Sequence, residues 1–184
     1  MIPYIGDISK QDAELLSNLA SNATRILEFG IGGSTQVLAW AAQPGVEINC
    51  VETDPRWIEQ TKRNFEKLGL PVDRVSYFNF EDAPGGEYDF VFVDGVDDKR
   101  LAFALMAWQL VKHNGCMAFH DTRRYHDLEQ ALKIPTAFMG TVSAIYINEG
   151  ESNITTLWKS LPALLYEDWN VVEGKDRVEL DPTL

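Results

Sequence analysis

Acidic side chains and one histidine recur at the ends of short apolar segments along the first two thirds of the sequence. They are Glu28, Glu52, Asp82, Asp94 and the pair His120–Asp121. Ligands of open α/β sheets bind at the carboxyl ends of the strands, so these residues are expected to share one site. Carboxylates attract cations and accept hydrogen bonds from hydroxyl groups, and histidine titrates near neutral pH. The spacing therefore predicts an acidic site in which His120 is a candidate general base.

A glycine-rich corner follows the first of these segments. Gly30, Gly32 and Gly33 lack the Cβ atoms that would keep a ligand away from the backbone, and glycine permits positive φ. A helix capped by Ser34 or Thr35 is predicted to begin there, with its free N–H groups directed at the same space. A strand, a glycine turn and a helix N-terminus in this order predict a nucleotide-sized binding site.

The segments that position these residues alternate between strand and helix patterns. Strands are predicted at residues 25–29, 46–52, 75–80, 88–94 and 116–120, and helices at residues 9–21, 34–43, 55–68, 99–113 and 124–133. The continuous apolar run of the fourth strand is typical of a strand that helices cover on both faces. The alternation predicts an α/β fold with a doubly wound, mostly parallel seven-stranded sheet.

The alternation stops after residue 134. Residues 141–147 have strand character, and residues 153–165 fit either a strand or a helix. A terminal antiparallel hairpin, with strands at residues 169–173 and 177–181, is predicted to supply the last two strands of the sheet. Residues 135–166 are then an insertion near the site, within a single domain of residues 1–184.

The composition limits the classes of partner. The 184 residues carry a formal net charge of −12, which opposes nucleic acids and anionic membranes because binding to phosphates requires Lys and Arg. We therefore expect neither kind of partner. The sequence has no signal-peptide pattern and no apolar stretch long enough to span a bilayer, so a cytoplasmic location is expected. Its two cysteines give no disulfide framework, and the oligomeric state stays open.

Two features of the glycine corner distinguish between the nucleotide cofactors that bind such sites. Glu52 lies about twenty residues beyond Gly30, where a carboxylate binds the ribose of either a nicotinamide cofactor or S-adenosylmethionine. Thr35 stands where a dinucleotide fingerprint has its third glycine, and Glu28 would repel a diphosphate. The ammonium and sulfonium charges of S-adenosylmethionine are attracted by the same carboxylate, so the sequence favours that cofactor.

Four motifs in a fixed order carry a resemblance to a known family. They are EFGIGGST at residues 28–35, VETDPRW at 51–57, YDFVFVDG at 88–95, and NG at 114–115 leading to FHD at 119–121. Over residues 24–124 the chain resembles the class I S-adenosylmethionine-dependent methyltransferases, and within them the small O-methyltransferase-like branch. The resemblance implies their Rossmann-like fold.

The resemblance also implies a role for each matching residue. The implied cofactor contacts are Glu28, Gly30, Gly32 and Gly33 at the methionine moiety, Ser34 and Thr35 at its carboxylate, Glu52 at the ribose, Thr53 and Asp82 at the adenine, and Asp94 beside the methyl group. His120 is the candidate base for a hydroxyl acceptor, and Asp121 would orient it. A packed structural histidine is the alternative for His120, and Trp57 fits either an adenine contact or the core.

Two departures from the family pattern concern a metal. Metal-dependent catechol-type members have a lysine three residues after the strand-four aspartate, where this chain has Asp97. They have an asparagine after the strand-five aspartate, where this chain has Thr122. Asp94 and Asp121 still offer oxygen ligands to a divalent cation such as Mg²⁺. The sequence thus predicts an incomplete metal site.

Together these features predict S-adenosylmethionine-dependent methyl transfer to a small-molecule acceptor, at an oxygen atom. Two alternatives stay open: a protein that binds S-adenosylmethionine without catalysis, and a nicotinamide-dependent oxidoreductase. Methylation of nucleic-acid amino groups is disfavoured, because the fourth strand ends in Asp94-Gly95-Val96 and not in a Pro-Pro-aromatic motif.

Overall fold

The computed structural model describes residues 1–96 and 98–160, together with the backbone of residues 170–173 and 176–179. In these residues the helices are α1 (Lys10–Ser21), α2 (Gly33–Ala41), α3 (Pro55–Leu68), α4 (Arg100–Trp108) and α5 (Tyr125–Ala137). The strands are β1 (Arg25–Phe29), β2 (Glu47–Val51), β3 (Val75–Phe78), β4 (Tyr88–Val93), β5 (Val111–Phe119), β6 (Val142–Ile147), β7 (Thr155–Lys159), β8 (Asn170–Glu173) and β9 (Asp176–Glu179). None of the described helices is both long enough and apolar enough to cross a membrane.

Local sequence signals account for the helix ends that were predicted correctly. The Ser9 hydroxyl accepts a hydrogen bond from the N–H of Asp12 and so caps α1. Asp54 caps α3 in the same way, with Pro55 in the first helical position. Gly69 ends α3 in the left-handed conformation, at a φ of 68°. Each of these ends depends on residues only a few positions apart.

The strands form one sheet in the order β3-β2-β1-β4-β5-β7-β6-β8-β9. Strands β1 to β5 are parallel, and β7 runs antiparallel to both β5 and β6. The predicted fold class is confirmed, because β1 to β7 make a mostly parallel sheet that includes an antiparallel pair. The chain order reverses between β1 and β4, and at such a point a crevice opens at the carboxyl ends of the strands.

Alternate strand residues separate two apolar cores. Ile26, Phe90 and Phe92 pack with side chains of α1, α2 and α3, whereas Leu27 and Val91 pack with side chains of α4 and α5. This division follows from the two-residue repeat of a strand, which turns successive side chains to opposite faces. The sheet is therefore covered on both faces, as the apolar run of β4 predicts.

The two strands that complete the seven-stranded sheet are β6 and β7, and not the hairpin predicted at residues 169–181. Strand β7 pairs Leu157 with Met117 of β5 and with Ile145 of β6. Residues 135–160 therefore complete α5 and supply β6 and β7, and they do not form the expected insertion. The remaining residues of that expected insertion, 161–166, lie outside the described part of the chain.

The predicted terminal hairpin is present as β8 and β9, but it extends the sheet beyond β6 and does not complete the seven strands. Its predicted ends and turn, at Trp169, Gly174–Lys175 and residues 180–181, lie outside the described residues. Both hairpins have strand-forming sequences, and local patterning does not tell which of them meets the edge of β5. That choice is made by tertiary packing.

The fourth helix is shorter and the fifth strand longer than predicted. The sequence pattern predicts a helix to residue 113, yet α4 ends at Trp108 and Val111 already pairs with Tyr88 of β4. The ammonium group of Lys159 donates hydrogen bonds to the carbonyl oxygens of Trp108 and Val111. A residue of β7 therefore supplies a hydrogen-bond donor to the last carbonyl group of α4. His113, the last residue of the predicted helix, is an exposed residue of β5.

Asp89 of β4 accepts hydrogen bonds from the residues at the start of β1. Its Oδ2 atom accepts hydrogen bonds from the N–H groups of Thr24 and Arg25, each at 2.9 Å, and from the Thr24 hydroxyl at 2.6 Å. Lys112 forms an ion pair with its other oxygen. Burial opposes ionisation of Asp89, but these partners outweigh it and lower the pKa to about 2.

Replacement of Asp89 by alanine is expected to lower the free energy of unfolding by about 1–3 kcal/mol at pH 7, because it removes three hydrogen bonds to a charged carboxylate and the ion pair with Lys112. The pKa of Asp89 in the folded protein lies below its ordinary value of 3.8. The contribution of Asp89 to stability is therefore fully present above pH 3.8 and is lost as the pH falls towards 2. Urea denaturation from pH 7 to pH 3 measures both effects. The exposed Glu66→Ala is the control, and a difference between wild type and Asp89→Ala that does not shrink on acidification would contradict the assignment.

Candidate functional site

A cavity of about 550 Å³ opens at the carboxyl ends of the central strands. Its wall is made by the turns after β1, β2, β4 and β5, by the start of α3, and by the N-terminal segment. The predicted site residues on this wall are Gly30, Gly32, Gly33, Ser34, Glu52, Thr53, Asp94 and His120. The structure thus brings together residues from four of the five strand ends that the sequence analysis selected.

Gly30 lies where the turns after β1 and β4 come closest. Its φ is 77° and that of Gly95 is 83°, both in the left-handed region that favours glycine. A Cβ atom built on Gly30 would overlap the backbone of Gly95. The two turns can therefore touch only without side chains, and their contact forms the floor between the glycine corner and Asp94.

Side chains beneath the glycine corner hold its shape. Helix α2 is capped at Gly32, and not at Ser34 or Thr35 as predicted, while the Thr35 hydroxyl accepts a hydrogen bond from the Gly32 N–H at 2.9 Å. The fully buried Glu28 accepts hydrogen bonds from Ser34 at 2.6 Å and from the thiol of Cys50 at 3.0 Å. Burial raises the pKa of Glu28 to about 7 against the opposing effect of these bonds. Glu28 therefore supports the loop from behind, whereas the sequence analysis expected it on the cavity wall.

Glu52 is held at the wall by its own turn. Its Oε1 atom accepts hydrogen bonds from the N–H groups of Thr53 and Asp54, at 2.7 and 2.9 Å. Trp57, whose surface is 55% exposed, lies on the same wall in the first turn of α3. This placement agrees with the ligand-contact alternative for Trp57 and excludes a place in the core.

The wall of the cavity is acidic. Its described residues include the carboxylates of Asp7, Glu52, Asp54 and Asp94, and they include no lysine or arginine. Such a wall attracts a cationic ligand and opposes a phosphate, because like charges in a partly enclosed cleft are poorly screened. The electrostatic preference predicted from Glu28 is thus produced by other carboxylates.

The N-terminal segment closes one side of the cavity, a contact that the sequence analysis missed. The buried side chain of Gln36 accepts a hydrogen bond from the Ile5 N–H at 2.6 Å and donates to the carbonyl oxygens of Ile5 and Gly32, each at 3.0 Å. Gly6 packs against Gly33 so closely that a Cβ atom on Gly6 would lie 2.9 Å from the Gly33 nitrogen. One glutamine therefore fastens the segment over the glycine corner.

His120 lies among three carboxylates at the end of β5. Its Nε2 atom is 3.8 Å from Asp12 Oδ2, and its Nδ1 atom is 3.4 Å from Asp94 Oδ2 and 3.5 Å from Asp121 Oδ1. Burial would lower the pKa of His120, but the carboxylates outweigh it and raise the pKa to about 10. The side chain is therefore an imidazolium at neutral pH, which must lose a proton before it can act as a base.

Arg100, the first residue of α4, enters the same cluster. Its buried guanidinium donates hydrogen bonds to Asp94 Oδ1 at 2.7 Å, Asp121 Oδ2 at 3.0 Å, Asp127 Oδ1 at 3.3 Å and the Gly95 carbonyl at 3.0 Å. The sequence analysis did not select Arg100. A signal was present, because a cation in the first turn of a helix is unfavourable unless carboxylates lie nearby.

Two further predicted site residues, Asp82 and Asp121, do not line the cavity. Asp82 is exposed in a short 3₁₀ helix after β3, and Asp121 lies behind His120 in contact with Arg100. Both keep their implied roles only as predictions. Asp97, the departure noted after strand four, lies outside the described residues.

Comparison with known proteins finds relatives of similar sequence and solved structures of similar fold. No family model matches the sequence. A catechol O-methyltransferase of Mycobacterium tuberculosis is 28% identical over 127 residues, which cover 64% of this chain and 57% of that protein. An S-adenosyl-L-methionine-dependent Diels-Alderase of a Neonectria species is 25% identical over 128 residues, which cover 66% of this chain and 48% of that protein. The chain thus spans about half the length of the curated relatives it matches.

A solved structure with a similar fold is an O-methyltransferase from Bacillus cereus in complex with SAH. It matches with a TM-score of 0.68 and 19% identity, over 86% of this chain and 84% of that one. The predicted resemblance to class I S-adenosylmethionine-dependent methyltransferases is confirmed, and the chain has their Rossmann-like fold.

Replacement of Gly30 by alanine tests the contact between the two turns. We expect a loss of unfolding free energy of about 1–2 kcal/mol for the left-handed φ and roughly 1–3 kcal/mol more for the overlap with Gly95. The matched control is Gly45→Ala, which has a φ of +87° but open space around the added Cβ atom. Chemical denaturation of both variants measures the difference, and equal losses would contradict the contact.

Replacement of Gln36 by leucine tests the fastening of the N-terminal segment. Loss of the three hydrogen bonds is expected to speed amide exchange at Ile5 by about tenfold or more, since each tenfold corresponds to about 1.4 kcal/mol. Hydrogen exchange followed by NMR measures this rate, with the exposed Gln43→Leu as the control. Unchanged exchange at Ile5 in the folded Gln36 variant would show that other contacts hold the segment.

Proposed function

We propose that this chain is an S-adenosylmethionine-dependent methyltransferase that acts on an oxygen atom of a small molecule. The observation that carries the proposal is the acidic wall of a cavity at the carboxyl ends of β1, β2 and β4. A cavity of this size beside a glycine corner suits a nucleoside, and its carboxylates favour a nucleoside that is positively charged. These two features together support S-adenosylmethionine over a nicotinamide cofactor.

The residues present have the chemistry to hold this cofactor. A Cβ atom built on Gly32 would meet nothing within 4 Å, so the glycine corner leaves room for the methionine moiety. Glu52 uses one carboxylate oxygen for its own turn, which leaves the other to accept hydrogen bonds from the ribose hydroxyls. Thr53 and Trp57 border the space that the adenine would take. When bound, the cofactor supplies an electrophilic methyl group on a sulfonium centre.

The protein's contribution to methyl transfer is to position the acceptor. Asp94 and His120 line the cavity next to the glycine corner, so an acceptor hydroxyl would lie against these two side chains. Alignment of donor and acceptor lowers the barrier by as much as about 7–11 kcal/mol in favourable cases. The acceptor's proton would pass to Asp94 Oδ2, and the His120 imidazolium beside it would stabilise the oxyanion. Asp121 positions His120.

Binding of S-adenosylmethionine without catalysis is the second candidate. The observation that favours it is the charge of His120, because an imidazolium is not poised as the general base that the sequence analysis expects. The Neonectria relative, named a Diels-Alderase, also shows that proteins similar to this chain can be associated with a different reaction. Detection of a methylated product distinguishes the two candidates.

A small-molecule acceptor and a cytoplasmic location complete the proposal. The net charge of −12 supports the small-molecule acceptor, because it disfavours binding to nucleic acids and to anionic membrane surfaces.

Calorimetric titration with S-adenosylhomocysteine tests the cofactor site. Glu52→Gln keeps an oxygen for the N–H groups of the turn but removes the charge, so binding is expected to weaken by about ten- to a hundredfold. Glu59→Gln, at an exposed position of α3, is the matched control and should bind as the wild type does. No heat from folded wild-type protein, or equal affinities for the two variants, would contradict the proposal.

Transfer itself is followed with S-adenosylmethionine carrying an isotopically labelled methyl group and a panel of hydroxylated small molecules. Label in an acceptor supports the methyltransferase. Tight binding of S-adenosylhomocysteine with no labelled product across the panel favours the second candidate.

A further inference from the structure

Asp94, His120 and Asp121 form the one cluster in the described chain that has the composition of a metal site. Each offers a ligand atom within 4.8 Å of the others. The fold family includes metal-dependent members, so these residues must be tested for their fit to a divalent cation. A divalent cation needs carboxylate oxygens that are free to coordinate it, so the hydrogen-bond partners of these oxygens decide the fit.

A guanidinium occupies the space between the two carboxylates. Arg100 donates to Asp94 Oδ1 at 2.7 Å and to Asp121 Oδ2 at 3.0 Å, and only 4% of its side chain is exposed. The Gly95 carbonyl accepts a further hydrogen bond from the same guanidinium at 3.0 Å. Because Arg100 is also the first residue of α4, both its backbone and its side chain are fixed.

Cationic or donor groups also lie at the other oxygens of the pair. Asp94 Oδ2 lies 3.4 Å from His120 Nδ1. Asp121 Oδ1 accepts a hydrogen bond from the Asn153 amide at 2.9 Å, and Asp121 Oδ2 accepts a second one from Arg124 at 2.8 Å. A divalent ion would have to displace these donors, and Mg²⁺ demands a nearly ideal set of oxygen ligands.

Thr122 does not supply a third oxygen. Its buried hydroxyl donates to Asn148 Oδ1 at 2.6 Å and accepts from the Thr155 hydroxyl at 2.9 Å. These bonds direct the side chain towards the connection between β6 and β7. The residues present therefore do not fit a divalent cation.

We propose that Arg100 takes the place of a divalent metal in this site. Its guanidinium is a built-in cation that bridges Asp94 and Asp121 and holds Asp94 against the cavity. Arg100 is thus a positioning residue, which acts through Asp94. The consequence for catalysis, that methyl transfer proceeds without a divalent cation, rests on the proposed function.

A manganese titration tests the proposal without cofactor or acceptor. Metal-free full-length protein is titrated with Mn²⁺, and free Mn²⁺ is measured by its electron paramagnetic resonance signal. We expect wild type to show no saturable site tighter than about 1 mM. In Arg100→Met the uncompensated carboxylates are expected to bind one Mn²⁺ at least about tenfold more tightly. A purely structural role for Arg100 would not produce this gain.

Three further samples locate the gained site. Arg123→Met, whose native guanidinium donates only to the carbonyl oxygens of Ser152 and Gly150, is the matched control and should behave as wild type does. The double variant Arg100→Met/Asp94→Asn should lose the gained binding. Asp94→Asn alone should leave the wild-type titration unchanged.

Two results would overturn the proposal. One is a 1:1 Mn²⁺ site in wild type that Asp94→Asn abolishes, and the other is a folded Arg100→Met protein that gains no site. Circular dichroism establishes folding, and if Arg100→Met does not fold, the comparison of wild type with Asp94→Asn decides. Failure of the proposed function would appear separately, as a lack of S-adenosylhomocysteine binding by wild type.

Discussion

The balance of charge at the carboxyl edge of the sheet is the constraint on which the rest of the structure depends. Aspartates from four parts of the chain converge there with three cationic side chains: Asp12 of α1, Asp94 after β4, Asp121 after β5 and Asp127 of α5, with Arg100, His120 and Arg124. Buried charges are costly unless they are paired. The elements that carry these charges must therefore be held in register with one another, and Asp12 extends the network to the β6–β7 connection through Ser152.

The same edge has two electrostatic characters. On the inner side each of these aspartates meets a cation, whereas on the cavity wall Glu52 accepts its hydrogen bonds from backbone N–H groups. The acids of the charge network and the acids of the cavity wall thus form two sets. Asp94 belongs to both sets, because Arg100 holds one of its oxygens while the residue itself lines the cavity. A residue with this double role is well placed to transmit the rigidity of the network to a bound ligand.

Much of the fold and part of the site are predictable from short-range patterns. The strands β1, β2 and β4 and the helices α1 and α3 agree with the prediction to within one or two residues, because period and capping are local properties. The same patterns failed at the end of α4, where Lys159 of β7 satisfies the carbonyl groups. They gave β6 its strand character but did not place β6 and β7 in the sheet, since packing decides which strand edge a hairpin joins.

The sequence by itself determined the class of fold, the glycine corner and the acidic character of the site, because these follow from residue type and from the order of the elements. Only the tertiary structure decided which carboxylates reach the cavity and which are neutralised behind it. Glu28 was assigned to the wall and lies beneath the loop, bonded to Ser34 and Cys50. Arg100 was not selected and lies at the centre of the network. The physical reason is that charge compensation acts through space between distant segments, and no local pattern encodes the distance between them.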